Sequence, residues 1–321
     1  MRIYNPQNGK ALDKELIKIL QAFRAKRQFD PEKYLIQKSA LLNMYMADFK
    51  LKSCVIAVSG GVDSAVVLGI VHNASQQKNS PIKKIQAVFL PIFSEFATTN
   101  QKNALKRYRE VVKIFGVDYT IVDLTSNHAF LKKIVDQAVA LSGNPWASGQ
   151  LAAYIRTPTL YYIASLLSEN GLPGIICGTT NRDEGAYLGY FGKASDGMVD
   201  VQIISDIHKN EVYKLAKKLN VPRSIIDAKP NGDMYDGRTD EDVFGTTYDF
   251  VEFYVSYLAL SKSQREKLLG NLNKKSKQQF DKQSKCLEKM HTYNLHKYLG
   301  KSPSVHLDIY QRAVPGGWEK S

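Results

Sequence analysis

Cysteine is scarce in this 321-residue sequence: Cys54, Cys177 and Cys286 lack metal-ligand spacing, and the first two fall in apolar stretches that read as buried strands. This argues against a zinc site or a disulfide framework and fits small core residues in a reducing compartment. Long hydrophobic runs are missing too. No eighteen consecutive residues are apolar, and the start Met1-Arg2-Ile3-Tyr4-Asn5-Pro6 lacks an apolar signal region, so neither a membrane span nor secretion is indicated and a cytoplasmic protein is expected. No Ser-His-Asp or Cys-His array is recognisable, so no protein nucleophile is expected. Acidic residues are outnumbered, 31 against 44 basic, for a net charge of +13. The surplus is uneven: Lys262 to Lys301 holds eleven Lys/Arg against three Asp/Glu, about +8. Such a stretch can contact phosphate backbones, but a solvated helix face is the favoured reading over nucleic acid binding. A basic field also gathers anionic small molecules.

What is present is an alternation of apolar strands and amphipathic helices between Leu51 and Leu219. Strands are predicted at 53–58, 84–90, 118–123, 174–178 and 199–204, with helices at 63–77, 99–115, 127–141 and 149–169. This pattern predicts an α/β fold, a doubly wound parallel five-stranded sheet flanked by helices, with the ligand at the carboxyl ends of the strands. Helices are also predicted at 10–25 and 31–49, and at 247–260, 263–271 and 276–298 near the C-terminus. The expected organisation is one domain over 1–321: N-terminal helices to about 50, a core at about 51–245, and a helical segment at about 246–321. Residues 227–245 carry Pro230, Gly232, Gly237 and Gly245 without apolar period, and predict a polar loop that could close over a ligand.

Ser59-Gly60-Gly61-Val62-Asp63-Ser64 follows the run Cys54-Val55-Ile56-Ala57-Val58 and precedes a helix-like stretch. Adjacent glycines let the backbone approach a ligand, and the helix start presents N–H groups to an anion. A carboxylate at Asp63 beside a phosphate cradle is repelled unless a divalent cation lies between them, which implies Mg2+ with a nucleotide. The turn lacks the lysine of a Walker A loop.

This turn resembles that of the ATP pyrophosphatases, which cleave ATP between the α and β phosphates. Downstream lie Gly178-Thr179-Thr180-Asn181-Arg182-Asp183-Glu184, Gly189-Tyr190-Phe191-Gly192-Lys193, Asp196-Gly197, Asp200, His208-Lys209, Lys229-Pro230-Asn231 and Asp236-Gly237-Arg238-Thr239-Asp240-Glu241-Asp242. In order and spacing these motifs resemble the NAD synthetase family from about residue 35 to about 303. The resemblance implies ATP, nicotinic acid adenine dinucleotide and ammonia as substrates, an acyl adenylate as intermediate, Mg2+ as cofactor, and a homodimer built partly by a helix before the first strand. It also assigns residues. Ala57, Val58, Ser59, Gly60, Gly61, Val62, Asp63 and Ser64 would hold the ATP phosphates, with Thr179, Lys209 and Asn231 as further ATP contacts. Asp63 and Glu184 would bind the metal, and Lys193, Asp200, His296 and Lys297 the deamidated dinucleotide.

There are departures from the family pattern. Where it carries Arg-x-Arg-Met, this sequence has Tyr154-Ile155-Arg156-Thr157-Pro158, so Arg156 is matched and Tyr154 replaces an arginine at the substrate. That leaves a mononucleotide acceptor as an alternative. A family arginine after the second strand is Phe89, and a Thr or Ser near Lys229-Pro230 is Asn231. Nothing resembles a glutaminase domain, and the roughly 52 residues before the first strand are too few for one, so ammonia is expected from solution or a separate subunit.

Overall fold

The computed structural model describes residues 11–93, 98–231, 238–297, 305–307 and 309. Its centre is a parallel sheet in the order β3-β2-β1-β4-β5-β6. β1 (Ser53–Ala57) lies between β2 (Lys84–Phe89) and β4 (Gly174–Gly178), with Ile56 opposite Ala87 and Val55 opposite Ile176. Cys54, Val55 and Ile56 are all fully buried, because helices cover both faces and leave no side for a polar residue. β3 (Asp118–Ile121) pairs with β2 at one edge, and all four of its residues are exposed. The chain order reverses direction across β1 and β4, so the turns leaving these two strands face each other over one crevice.

The predicted fifth strand contracts to β5 (Val201–Gln202), and a short β6 (Val305–His306) joins the far edge. β5 begins late because Asp200 folds its own carboxylate onto β4: Oδ2 accepts the Ile176 N–H at 2.7 Å.

α1 (Lys14–Arg27) and α2 (Pro31–Asp48) start at side-chain caps, Asp13 and Asp30, with Pro31 supplying the preset φ of a first helical residue. α3 (Val62–Ser75) is apolar all round, since Ala65, Val66, Val67, Leu68, Ile70 and Val71 are enclosed between the sheet, α2 and α7 (Lys209–Lys218). α4 (Thr98–Phe115) borders β2. The opposite face carries α6 (Pro145–Glu169), which packs with Val55, Val88 and Ile176, and α5 (Thr125–Val139) lies against α6. After β4 the chain makes a π-turn (Glu184–Leu188), a rare geometry that is frequent at functional sites. α8 (Arg223–Ile226) is a single turn. A second core joins α1 to α9 (Asp240–Phe244), α10 (Tyr248–Leu258) and α12 (Lys274–Asn294), with α11 (Lys262–Gly270) beside it.

Part of the predicted loop 227–245 is therefore helical. Thr239 and Asp242 form a capping box that starts α9, and Gly245 ends it at φ +71°. Residues 232–237, including Asp236, lie outside the described residues, as does the nucleotide-covering role expected of them. A buried ion pair fixes the sheet edge: Lys38 Nζ lies 2.9 Å from Asp206 Oδ2, the Tyr34 hydroxyl donates to Asp206 Oδ1 at 2.7 Å, and the Ile309 N–H donates to Oδ2 at 3.1 Å.

Candidate active site

The turn after β1 is built as an anion cradle. Gly60 sits at φ +79°, and a Cβ there would stand 2.6 Å from the Ala104 carbonyl oxygen, so only glycine fits. Arg107 Nε donates to the Gly60 carbonyl at 2.8 Å, anchoring the turn to α4. The Ser64 hydroxyl accepts the Ser59 N–H at 3.2 Å and donates to the Gly61 carbonyl at 3.1 Å, which closes the loop on itself. The N-cap of α3 is Gly61, which offers no side chain to the first-turn N–H groups. They remain available to an anion.

Beside the cradle, carboxylates from three distant stretches surround one lysine. Lys209 Nζ lies 2.6 Å from Asp63 Oδ2 and 3.1 Å from Glu184 Oε1, and 4.8 Å from the centre of the Tyr248 ring. The Tyr248 hydroxyl is 2.7 Å from Glu184 Oε1 and 2.8 Å from Asp240 Oδ2, and the Tyr190 hydroxyl donates to Asp240 Oδ1 at 3.2 Å. Asn181 Nδ2 donates to Asp63 Oδ1 at 2.9 Å. Burial pushes the Glu184 carboxyl up to about 7, and the neighbouring Asp63 and Asp240 act in the same direction against the pull of Lys209. The Asp240 carboxyl is likewise raised by burial. Burial opposes the Lys209 ammonium, but Asp63 and Glu184 outweigh it and hold its pKa well above the ordinary lysine value. A single phenolic hydrogen on Tyr248 cannot serve both Glu184 and Asp240. The second contact is satisfied when one carboxyl carries a proton, as the raised Glu184 value allows.

Even with one of the three carboxyls protonated, the other two against one ammonium leave surplus negative charge at the mouth of an anion cradle, and phosphates would add more. A divalent cation resolves this conflict. Among the described residues no three His, Cys, Asp or Glu side chains form a complete cage. Two carboxylates suffice for Mg2+, which completes its octahedron with phosphate oxygens and water. Asp63 and Glu184 fit that demand, since both already converge on one cationic centre, the Lys209 ammonium.

Lys209 is held in place from behind. Its backbone N–H donates to Asp183 Oδ2 at 2.7 Å, and His208 Nδ1 contacts Asp183 Oδ1 at 2.6 Å, with all three residues buried. The helix carrying it, α7, was not among the expected elements, although His208 and Glu211 form its capping box.

A second group forms where the chain after the π-turn meets the end of α12. Lys297 Nζ donates to the carbonyls of Gly189, at 2.8 Å, and Phe191, at 2.5 Å, and Lys193 Nζ donates to the His296 carbonyl at 3.3 Å. Burial lowers the Lys297 ammonium below the ordinary lysine value. The three expected dinucleotide contacts Lys193, His296 and Lys297 thus come together, whereas Asp200 is committed to the β4 backbone. Arg156 Nε donates to the Leu90 carbonyl at 3.1 Å, and the Tyr154 hydroxyl to Gln150 one turn back on α6. Thr179 is half-buried on the rim directly after β4, and Asn231 is exposed at the near end of 232–237.

Tyr248, Asp240, Tyr190 and Asn181 were quoted among the motifs or passed over without a site role. Their signal was weak, because a Tyr in an apolar helix reads as core.

The chain matches the NAD synthase family model over residues 34–298. It is 34% identical over 229 residues to the NH(3)-dependent NAD(+) synthetase of Thermoplasma volcanium, covering 71% of this chain and 84% of that one. The protein of the same description from Pyrococcus furiosus is 30% identical over 219 residues, covering 68% and 77%. Among solved structures, NMN synthetase from Francisella tularensis superposes with a TM-score of 0.65 at 24% identity, covering 84% of this chain and 96% of that one. NH3-dependent NAD synthetase from Campylobacter jejuni does so with a TM-score of 0.61 at 20% identity, covering 85% and 97%. At these identities the two structures attest the fold alone, but the family model spans most of the sequence: the chain belongs to the NAD synthase family.

Proposed function

We propose that this ligase amidates nicotinic acid adenine dinucleotide with ammonia, consuming ATP and yielding NAD, AMP and pyrophosphate. The observation that carries the reading is the convergence of Asp63 and Glu184 on Lys209 at the mouth of the Ser59–Ser64 cradle. The nicotinate carboxylate attacks the α phosphorus of ATP, the bond to the bridging oxygen breaks, and pyrophosphate leaves. Ammonia then adds to the acyl carbonyl, one proton is released, and AMP departs. Backbone N–H groups from Ala57 to Ser64 hold the phosphates, with Thr179, Lys209 and Asn231 as further contacts. Asp63 and Glu184 would hold Mg2+, which supplies charge neutralisation at the phosphates. Lys193, His296 and Lys297 take the acceptor, with Arg156 and Tyr154 toward its nicotinate end. No protein nucleophile is required, because activation comes from adenylation and the site's work is orientation and charge.

The whole chain acts as one domain and pairs as a homodimer. The helix before β1, α2, packs on α3 and α7 within the chain and leaves Ile36 exposed. Further support for a dimer lies in the exposed apolar side chains of α5, α6 and the connection between them, with Phe130, Ile134, Val139, Leu141, Trp146 and Tyr162. Among the described residues no helix is long and apolar enough to cross a membrane.

A mononucleotide acceptor is favoured by one observation, the Tyr154 that stands in place of an arginine. A single assay separates the readings. Purified protein is incubated with ATP, Mg2+, ammonium and either nicotinate nucleotide, and amide, AMP and pyrophosphate are counted. Equal amounts of all three with the dinucleotide are expected. ADP and inorganic phosphate would refute the ligase mechanism, and amide from the mononucleotide alone would reassign the substrate.

A further inference from the structure

The end of α12 and the 3-10 turn Leu295–Lys297 that follows it do something that none of the assigned contacts explains. His291, Asn294 and Lys297, spaced three apart, are half-buried, while Thr292, Tyr293, Leu295 and His296 between them are exposed. All three point at the end of the π-turn that starts with Glu184. His291 Nδ1 lies 2.6 Å from the Tyr187 carbonyl and its ring stacks on Tyr187, with centroids 4.1 Å apart and planes 7° from parallel. A carbonyl only accepts, so this nitrogen carries the hydrogen. Asn294 Nδ2 donates to the Leu188 carbonyl at 2.8 Å, and Lys297 Nζ donates to the carbonyls of Gly189 and Phe191.

A helical turn leaves its last carbonyls without partners, and a π-turn lacks a following helix to help. Here side chains of α12 and of the turn after it supply the donors to four carbonyls within five residues, 187, 188, 189 and 191. The turn so fixed presents Glu184 from its first position, and its backbone also closes by the Tyr190 N–H to the Glu184 carbonyl at 2.9 Å.

We propose that the end of α12 is a positioning clasp for Glu184, in which His291 and Asn294 hold the π-turn while Lys297 links it to the acceptor-binding loop. The inference rests on the proposed function, since it takes Glu184 as a cation ligand and Lys297 as an acceptor contact. Its consequence is coupling. The geometry of the ATP and cation end and that of the acceptor end are set by one hydrogen-bonded turn, so loosening the clasp lets ATP be cleaved without amide being formed.

The test is the double variant His291→Phe with Asn294→Leu, which keeps the aromatic stack and the side-chain bulk but removes both donors. Asn294→Leu alone is carried alongside in case the double variant folds poorly. Mn2+ binding to the full chain with α,β-methylene-ATP is read by electron paramagnetic resonance, with Glu184→Gln as reference. Loss of partners behind a metal ligand is expected to weaken Mn2+ binding by about tenfold. The ratio of AMP released to NAD formed should rise above one, and the melting temperature should stay close to that of the parent. If Glu184→Gln weakens Mn2+ binding and neither clasp variant does so or changes the AMP ratio, the clasp is overturned and the proposed function stands. If Glu184→Gln itself leaves Mn2+ binding unchanged, the metal assignment falls and the clasp with it.

Discussion

The cradle after β1 and the carboxylate cluster beside it meet at Asp63 but are made in opposite ways. The cradle's bonds run within Ser59–Ser64, apart from the Arg107 anchor at 2.8 Å. The cluster draws Asp63, Glu184, Lys209, Asp240 and Tyr248 from separate stretches of the chain. A local unit is specified by backbone conformation and fails through steric error. A distributed one is specified by packing and fails through misplaced or uncompensated charge.

The largest effects should come from the cluster. Asp63→Asn and Glu184→Gln are each expected to lower turnover by at least about a hundredfold, roughly 3 kcal/mol of transition-state stabilisation. Steady-state assays with either variant check this, and parent-like turnover would remove that residue from the mechanism.

The ligand-free protein should also show the cluster in its pH dependence. Burial pushes the Glu184 carboxyl of the folded chain up to about 7, above the ordinary glutamate value, so between the two the native state holds a proton that the unfolded chain has released. The stabilisation is complete below the unfolded value and is lost as pH rises through about 7. The loss amounts to up to about 3 kcal/mol for this group. Melting curves without nucleotide or metal should decline over that range, and the contribution should vanish in Glu184→Gln.

Steric failure of the cradle should be somewhat smaller in energy. Gly60→Ala forces a side chain into positive φ and against the Ala104 carbonyl, for about 2 kcal/mol of strain. Its signature is lost ATP binding together with lost stability, measured by calorimetry and denaturant unfolding. Retained affinity would mean that the turn yields more easily than its contacts suggest. Smallest is Tyr248→Phe, which removes one hydroxyl shared by Glu184 and Asp240, for about 1 kcal/mol of stability. It should raise the Mg2+ concentration needed for half-maximal turnover without abolishing activity.

Much of the sheet was legible, because β1, β2 and β4 are apolar runs between turn residues and their expected bounds lie within one residue of the observed ones. β5 was overextended because Asp200 looked like a strand residue, whereas its side chain takes a β4 N–H. α9 was missed because a five-residue helix has no period to detect and its capping box sits among glycines. Asp63, Glu184 and Lys209 were each named from motif order. That they share one centre was not, because nothing local ties residue 209 to residue 63.

By itself the sequence determined the strand–turn–helix cradle, the parallel sheet and the family motifs, since these depend on residue type and short spacing. The tertiary structure alone decided that Tyr248 bridges Glu184 to Asp240, that Lys209 pairs with two carboxylates, and that the end of α12 caps the π-turn. Each of these joins groups far apart in the chain. Their proximity is set by the packing of α7, α10 and α12 around the π-turn, and no one-dimensional spacing encodes that distance.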